Sequence, residues 1–306
     1  MDASEQSYPN RPYLGADDLA PLLSFGSRAL ALRFPLNANW HPGDFAWELH
    51  ARGDRPQPIQ MWSSAGGVTA VAWFMGPAQL LFEVLPDSEN LVPEIVAHAE
   101  NAAHGQAEIS IRAFENDARR IAALQRLAYR RAAREGVWFR MDLSATLPSF
   151  DRPEGFSIRD CVGIDAAPRA AAHRDAWDDL SRIGLPDARS AFTTQAYLSL
   201  RAAPVYDPTL DILVQAPDGA LVANCICWAD EESGIGVFEP VGTHAAFRGR
   251  GLARLAILEG CRRLRARGHG WARVGTAHFN APAISAYRSC GFEPYDRTSW
   301  WVKALA

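Results

Sequence analysis

"VFEPVGTHAAFRGRGLARLAILEGCRRL", residues 237–264, decides how the chain is read. It opens as an apolar strand, turns through two glycines and two arginines, and becomes an apolar helical pattern at once. A helix start leaves about four backbone N–H groups unpaired at the positive end of its dipole. Glycine lets a ligand approach that backbone closely. Gly249 and Gly251 at such a point suit a phosphate or pyrophosphate, with Arg248 and Arg250 adding charge. A solvent-facing turn is the plain alternative. A dinucleotide site is weaker, because "GRGLAR" lacks the full G-x-G-x-x-G and the preceding strands read as antiparallel.

Working outward, the second half reads as a strand at 155–161, helices at 163–180 and 193–202, and an antiparallel meander split by Pro217-Asp218-Gly219 and Glu231-Glu232-Ser233-Gly234. After the glycine-arginine turn come a helix, a strand "WARVGTAHF", a helix "APAISAYRSC" and a last strand "SWWVKAL". The first half gives a similar order. Strands are read at 66–74 and 78–86, a helix at 89–103, a strand at 107–114, a long helix at 116–134 and a strand at 136–143. A helix is also expected within 14–34, followed by the Pro-rich "GDRPQPIQ". The chain thus repeats its element order at an offset of roughly one domain length. The boundary is expected in "SATLPSFDRPEG", giving domains 1–150 and 151–306.

Composition is that of a soluble globular protein, with 48% hydrophobic and 22% charged residues among 306. No run of about 18 apolar residues predicts a membrane span. "MDASEQSYPNRPYLG" lacks the basic-then-apolar pattern of an export signal, so a cytoplasmic location is expected. The net charge of -4 argues against a nucleic-acid partner. Lys303 is the only lysine. The five cysteines are scattered and odd in number, which predicts no disulfide framework. Cys225 and Cys227 lack ligand-spaced companions and read as small buried hydrophobes, so no metal is expected.

These residues carry a family resemblance. "VGTHAAFRGRGLARLAILEGCRRL" resembles motif A of the GNAT superfamily of acyl-CoA-dependent N-acetyltransferases, with Arg248, Gly251 and Ala253 in the [Q/R]-x-x-G-x-[G/A] positions. Further on, "FNAPAISAYRSCGF" resembles motif B. The resemblance covers 155–306 well, and the first half by order of elements alone. It implies an α+β (mixed α/β) fold of two tandem GNAT-like domains, each with a central, mostly antiparallel twisted sheet flanked by helices. It implies acetyl-CoA as cosubstrate. The pyrophosphate would lie on the N–H groups of Arg250, Gly251, Leu252 and Ala253, beside Gly249 and Arg248. The pantetheine arm would run along Val241 and Thr243, with Asn280 and Ser285 in the same cleft.

Acyl transfer to an amine needs a base, an oxyanion donor and an acid for the leaving thiolate. Tyr287 matches the family's tyrosine and is the candidate acid. Glu239, on the strand just before an opening expected at Pro240, is the candidate base. Each has a bland alternative: a tyrosine packed under the site, a carboxylate held by an arginine. His244 and His278, at strand ends, are weaker candidates. In the first half the corresponding helix begins "DSENLVPEI", without a glycine and crowded by Asp87, Glu89 and Glu94. Those carboxylates would repel a pyrophosphate. The first domain therefore reads as a degenerate copy without a CoA-binding motif. Trp40, Trp47, Trp62 and Trp73 there are either core or a wall of the acceptor cleft.

The function expected is transfer of acetyl from acetyl-CoA to a primary amine of a small molecule or peptide, by a monomer or homodimer without nucleic-acid or membrane partners. A non-catalytic acyl-CoA-binding module is the alternative, and a CoA-unrelated phosphate-binding domain a third reading. The two-copy order is similar to that of mycothiol synthases, whose carboxylate falls where this chain has Val237.

Overall fold

The computed structural model describes residues 8–35, 37–51, 58–149, 151–185 and 189–305. In chain order the elements begin with β1 (Asn10–Pro12), α1 (Ala16–Arg33), α2 (Pro42–Ala51), β2 (Ile59–Ser64), β3 (Gly67–Gly76) and β4 (Gln79–Val84). A 3₁₀ turn (Pro86–Leu91) leads into α3 (Val92–Ala102), β5 (Glu108–Phe114), α4 (Ala118–Arg126) and β6 (Arg130–Asp142). Then follow β7 (Ser157–Asp160), α5 (Ala166–Ala176), α6 (Thr194–Arg201), β8 (Asp211–Gln215), β9 (Leu221–Asp230) and β10 (Ile235–Thr243). The chain closes with α7 (Leu252–Ala266), β11 (Trp271–Ala277), α8 (Ala281–Ser289) and β12 (Glu293–Ala304).

Two compact units result. One comprises Met1–Pro42, Pro56–Gly136 and Asp296–Ala306, the other Gly43–Arg55 and Val137–Tyr295. The chain is therefore not cut once, and α2, β6 and β12 do not follow a simple first-half, second-half division. Of the Pro-rich stretch before β2, residues 53–57 lie outside the described residues.

In the first unit β2, β3 and β4 form an antiparallel meander, with β1 added antiparallel to β2. β5 joins β4 in parallel, and β12 lies antiparallel to β5 from Thr298 to Ala304. In the second unit β7 through β10 are antiparallel neighbours, and β11 joins β10 in parallel. The same succession of three antiparallel strands, a helix, a parallel strand, a helix and a final strand thus occurs twice, as the sequence order predicts. The class is α+β, with mostly antiparallel sheets flanked by helices.

One expected element is cut short. The helix read at 116–134 stops at Arg126, and the arginine-rich "RRAAREG" is strand. The closing turn places Ala128 at φ 66° and bonds the Tyr129 N–H back to the Leu124 carbonyl. Tyr129 is then buried, with its hydroxyl donating to Glu100 at 3.0 Å. Burying that ring is worth about 2 kcal/mol, enough to offset one left-handed alanine. Trp40, Trp62 and Trp73 are core side chains.

The second unit has a core on each sheet face. Phe238 packs with Leu255, Ala256 and Leu264 of α7 and with Tyr287 of α8. The next residue back, Val237, faces the other way, toward Ala46 of α2, Tyr197 and Leu200 of α6, and Trp228. All five cysteines are buried and free. Among the described residues, no helix is long and apolar enough to cross a membrane.

Candidate functional site

The site begins where β10 and β11 separate. They pair in register only from Ile235 to Val237, opposite Trp271 to Arg273. On its other edge β10 stays with β9 to Thr243, but the register shifts between Phe238 and Val241. Pro240 lies in that irregularity and has no N–H to give to a ladder. The Glu239 carbonyl turns to accept from Trp228 Nε1 at 2.6 Å. Beyond Val237, β10 therefore presents a main-chain edge that β11 does not fill.

The chain then makes a 3₁₀ turn (Ala245–Phe247) and enters α7 through two glycines with positive φ, Gly249 at 78° and Gly251 at 76°. Gly251 is the N-cap residue, makes no side-chain cap, and no acidic side chain stands in the first turn of α7. The first N–H groups of a 15-residue helix are thus left without a side-chain acceptor among the described residues.

A cavity of about 490 Å³ lies over this helix start. Of the residues expected from sequence, Val241, Thr243, Arg248, Gly249, Gly251, Leu252, Ala253, Asn280, Ser285 and Tyr287 line it, and Glu239 and Arg250 do not. The Arg250 guanidinium lies over the Phe247 ring at 5.4 Å. Arg248 has its donors engaged, Nε to the Thr243 carbonyl at 3.2 Å and Nη2 to the Ala176 carbonyl at 3.0 Å. Asn280 caps α8, accepting from the Ala283 N–H at 3.3 Å and donating to Thr276 Oγ1 at 3.0 Å. Thr243 Oγ1 is buried without a partner among the described residues.

One wall was not read from the sequence. Trp177, Leu180, Arg182 and Ile183, from the segment after α5, line the cavity as well. A helix was expected through 180, but α5 ends at Ala176. Gly242 explains how this wall seats itself on β10. A Cβ there would overlap Ala176 and the Trp177 ring. Trp177 in turn stacks on His173, with centroids 4.2 Å apart. Burial pushes His173 down to about 3, so that ring is neutral.

Tyr287 is 6% exposed, with its ring edge-on to Phe139 at 5.8 Å. Its hydroxyl has no hydrogen-bond partner among the described residues. Burial, and then the Glu239 charge, raise its pKa, so it holds its proton throughout the neutral range. Glu239 has no ion pair or side-chain hydrogen bond among the described residues. Burial pushes its carboxyl up to about 8, helped by the negative charges of Asp44 and Glu48 on α2. Asp44 itself pairs with Arg273 at 2.9 Å, and Arg273 lies over the Trp138 ring at 5.0 Å. His244 Nδ1 is occupied as a cap, accepting from the Ala246 N–H at 3.1 Å. His278 lies against Phe279 and does not line the cavity. No group of three His, Cys, Asp or Glu residues fit to hold a metal occurs among the described residues.

The strand, the glycine-capped helix and the Asn-capped helix with its tyrosine now form one cleft, and the comparison with known families agrees. Residues 177–292 match the family model described as Acetyltransferase (GNAT) family. This part of the chain is thus similar to the catalytic domains that the model describes. The whole chain has the fold of a tandem GNAT protein. It superposes on a tandem GNAT protein from the clavulanic acid biosynthesis pathway with a TM-score of 0.67 and 18% identity, covering 98% of this chain and 99% of that one. A GCN5-related N-acetyltransferase from Sphaerobacter thermophilus gives 0.59 and 20%, covering 97% and 96%. A GNAT-family acetyltransferase from Colwellia psychrerythraea gives 0.58 and 13%, covering 97% and 100%. No curated protein matches the sequence.

Proposed function

We propose that the protein is an acyl-CoA-dependent N-acetyltransferase with one working site, in the second unit, and a primary amine of a small molecule or peptide as acceptor. The observation that carries this reading is the pairing of two features along β10 and α7. One is the anion-ready start of α7, and the other is a carboxylate on β10, without a counter-charge among the described residues, whose charge reaches a protonated, unbonded tyrosine on α8.

The residues present fit acetyl-CoA. The α7 N–H groups suit its pyrophosphate. The unfilled edge of β10 at Val241 and Thr243 suits an extended amide-bearing arm, and Thr243 Oγ1 is a buried polar atom that lacks a partner. Acetyl-CoA would supply the activated acyl group as a thioester.

The chain's own groups do the proton work. Glu239, once ionised, accepts a proton from the acceptor's ammonium, directly or through water. Asp44 and Glu48 add negative charge on that side and favour the approach of a cation. Tyr287 keeps its proton until the sulfur departs and then donates it. Nucleic-acid and membrane partners form no part of this reading, and either a monomer or a homodimer can hold the site.

A thiol-release assay with acetyl-CoA and a panel of diamines, amino sugars and peptides tests the reading. Amine-dependent thiol release supports it. Tight acetyl-CoA binding with no release for any amine would favour the non-catalytic binding module.

A further inference from the structure

The cavity is built for an anion, yet of the two arginines of its own turn one has donors engaged and the other does not line it. Arg248 spends its Nε and Nη2 donors on the Thr243 and Ala176 carbonyls and lies 3.9 Å from Asp179. Arg250 lies over Phe247, outside the lining. Arg254 lines the cavity but donates Nη2 to the Ser149 carbonyl at 3.1 Å. Arg182 is different. It lines the cavity from the segment between α5 and α6, it is exposed, and its guanidinium has no hydrogen bond or ion pair among the described residues.

The placement of Arg182 is built into the fold. Arg248 ties the Ala176 carbonyl to the end of β10, and Gly242 lets Ala176 and Trp177 lie directly on that strand. The Asp179 carboxylate then accepts from both the N–H and the hydroxyl of Ser181, at 3.0 and 2.6 Å, and sets the turn that leads into Arg182. A ligand seated on the α7 start with two negative phosphates needs more than backbone N–H groups. A guanidinium gives it bidentate, charge-assisted bonds.

We propose that Arg182 is the cation that binds the phosphate oxygens of the ligand at the α7 N-terminus, while Arg248 holds the segment that carries Arg182. This rests on the acyl-CoA reading for the identity of the ligand. It assigns the charge contact to a residue outside the glycine-arginine turn.

Calorimetric titration tests it on the full chain, using acetyl-CoA and 3′-dephospho-CoA with wild type, Arg182→Ala and Arg182→Lys. Arg182→Ala is expected to weaken both ligands by roughly tenfold and to flatten the salt dependence of Kd, with Arg182→Lys recovering part of the loss. Arg182 is exposed, so thermal stability should stay at the wild-type value. Unchanged affinity and salt dependence in Arg182→Ala would overturn the proposal. A loss confined to acetyl-CoA, sparing 3′-dephospho-CoA, would overturn it too, since the contact would then be to the 3′-phosphate. Failure of wild type to bind acetyl-CoA at all would instead strike the acyl-CoA reading beneath it.

Discussion

Glu83 and Glu239 stand at the same step of the same strand in two copies of one motif, and only Glu83 has counter-charges. Each follows a phenylalanine, Phe82 or Phe238, on the strand that pairs in parallel with the next. Glu83 lies 2.8 Å from Arg33 and 3.2 Å from Arg120, and accepts from the Asn39 N–H at 2.9 Å. Arg33 also pairs with Glu89 at 2.6 Å and Asp117 at 3.0 Å. In the second copy no arginine among the described residues answers Glu239. A half-buried carboxylate without a counter-charge among the described residues is costly to keep. Its survival beside the cleft is what a base requires, and the compensated Glu83 is what a structural carboxylate requires.

Glu239→Gln should lower turnover by about 100-fold or more while acetyl-CoA affinity changes little. Wild-type turnover under saturating substrate should rise with pH through about 8, as Glu239 ionises. The residual rate of the variant should lack that rise. A pH–rate series on both proteins checks this.

The same group makes a stability prediction. Because the folded state raises the Glu239 pKa, folding favours its protonated form. Wild type therefore loses stability as pH climbs from the ordinary carboxyl range toward about 8. Glu239→Gln does not ionise. The Tm difference between variant and wild type should be smallest near pH 4 and grow in the variant's favour up to pH 9. A constant difference would contradict the assigned environment.

Tyr287→Phe removes a hydroxyl that bonds to no described residue. Tm and acetyl-CoA affinity should stay near wild type, while turnover falls by at least tenfold. Unchanged turnover would remove Tyr287 from proton transfer.

Glu83→Gln should act on the fold alone. It leaves Arg33 and Arg120 buried with fewer counter-charges, at a cost of about 3 kcal/mol in urea unfolding. Acetyl-CoA affinity should be unaffected.

The parts legible in the sequence were those with local causes. The α7 start could be read because glycine at positive φ and an apolar helical period are written within 28 consecutive letters, residues 237–264. The repeated order of strands and helices followed from periodicity. The misses had distant causes. The shortened α4 depends on burial of Tyr129 against Glu100. The role of α2 depends on Asp44 meeting Arg273, 229 residues away. Arg248 lines the cavity, and its charge in the turn is visible in sequence. The carbonyls of Thr243 and Ala176 that also hold it are not.

The central claim is that α7 of the second unit binds acetyl-CoA and that its first-unit counterpart, α3, does not. Calorimetric titration with acetyl-CoA tests it most directly, run on wild type, Gly251→Glu and Gly251→Ala. Both variants carry the backbone strain at positive φ, but only the first places a carboxylate at the helix start. The account predicts one site per chain, weakened in Gly251→Ala and abolished in Gly251→Glu. Two sites per chain, or full affinity surviving in Gly251→Glu, would contradict it.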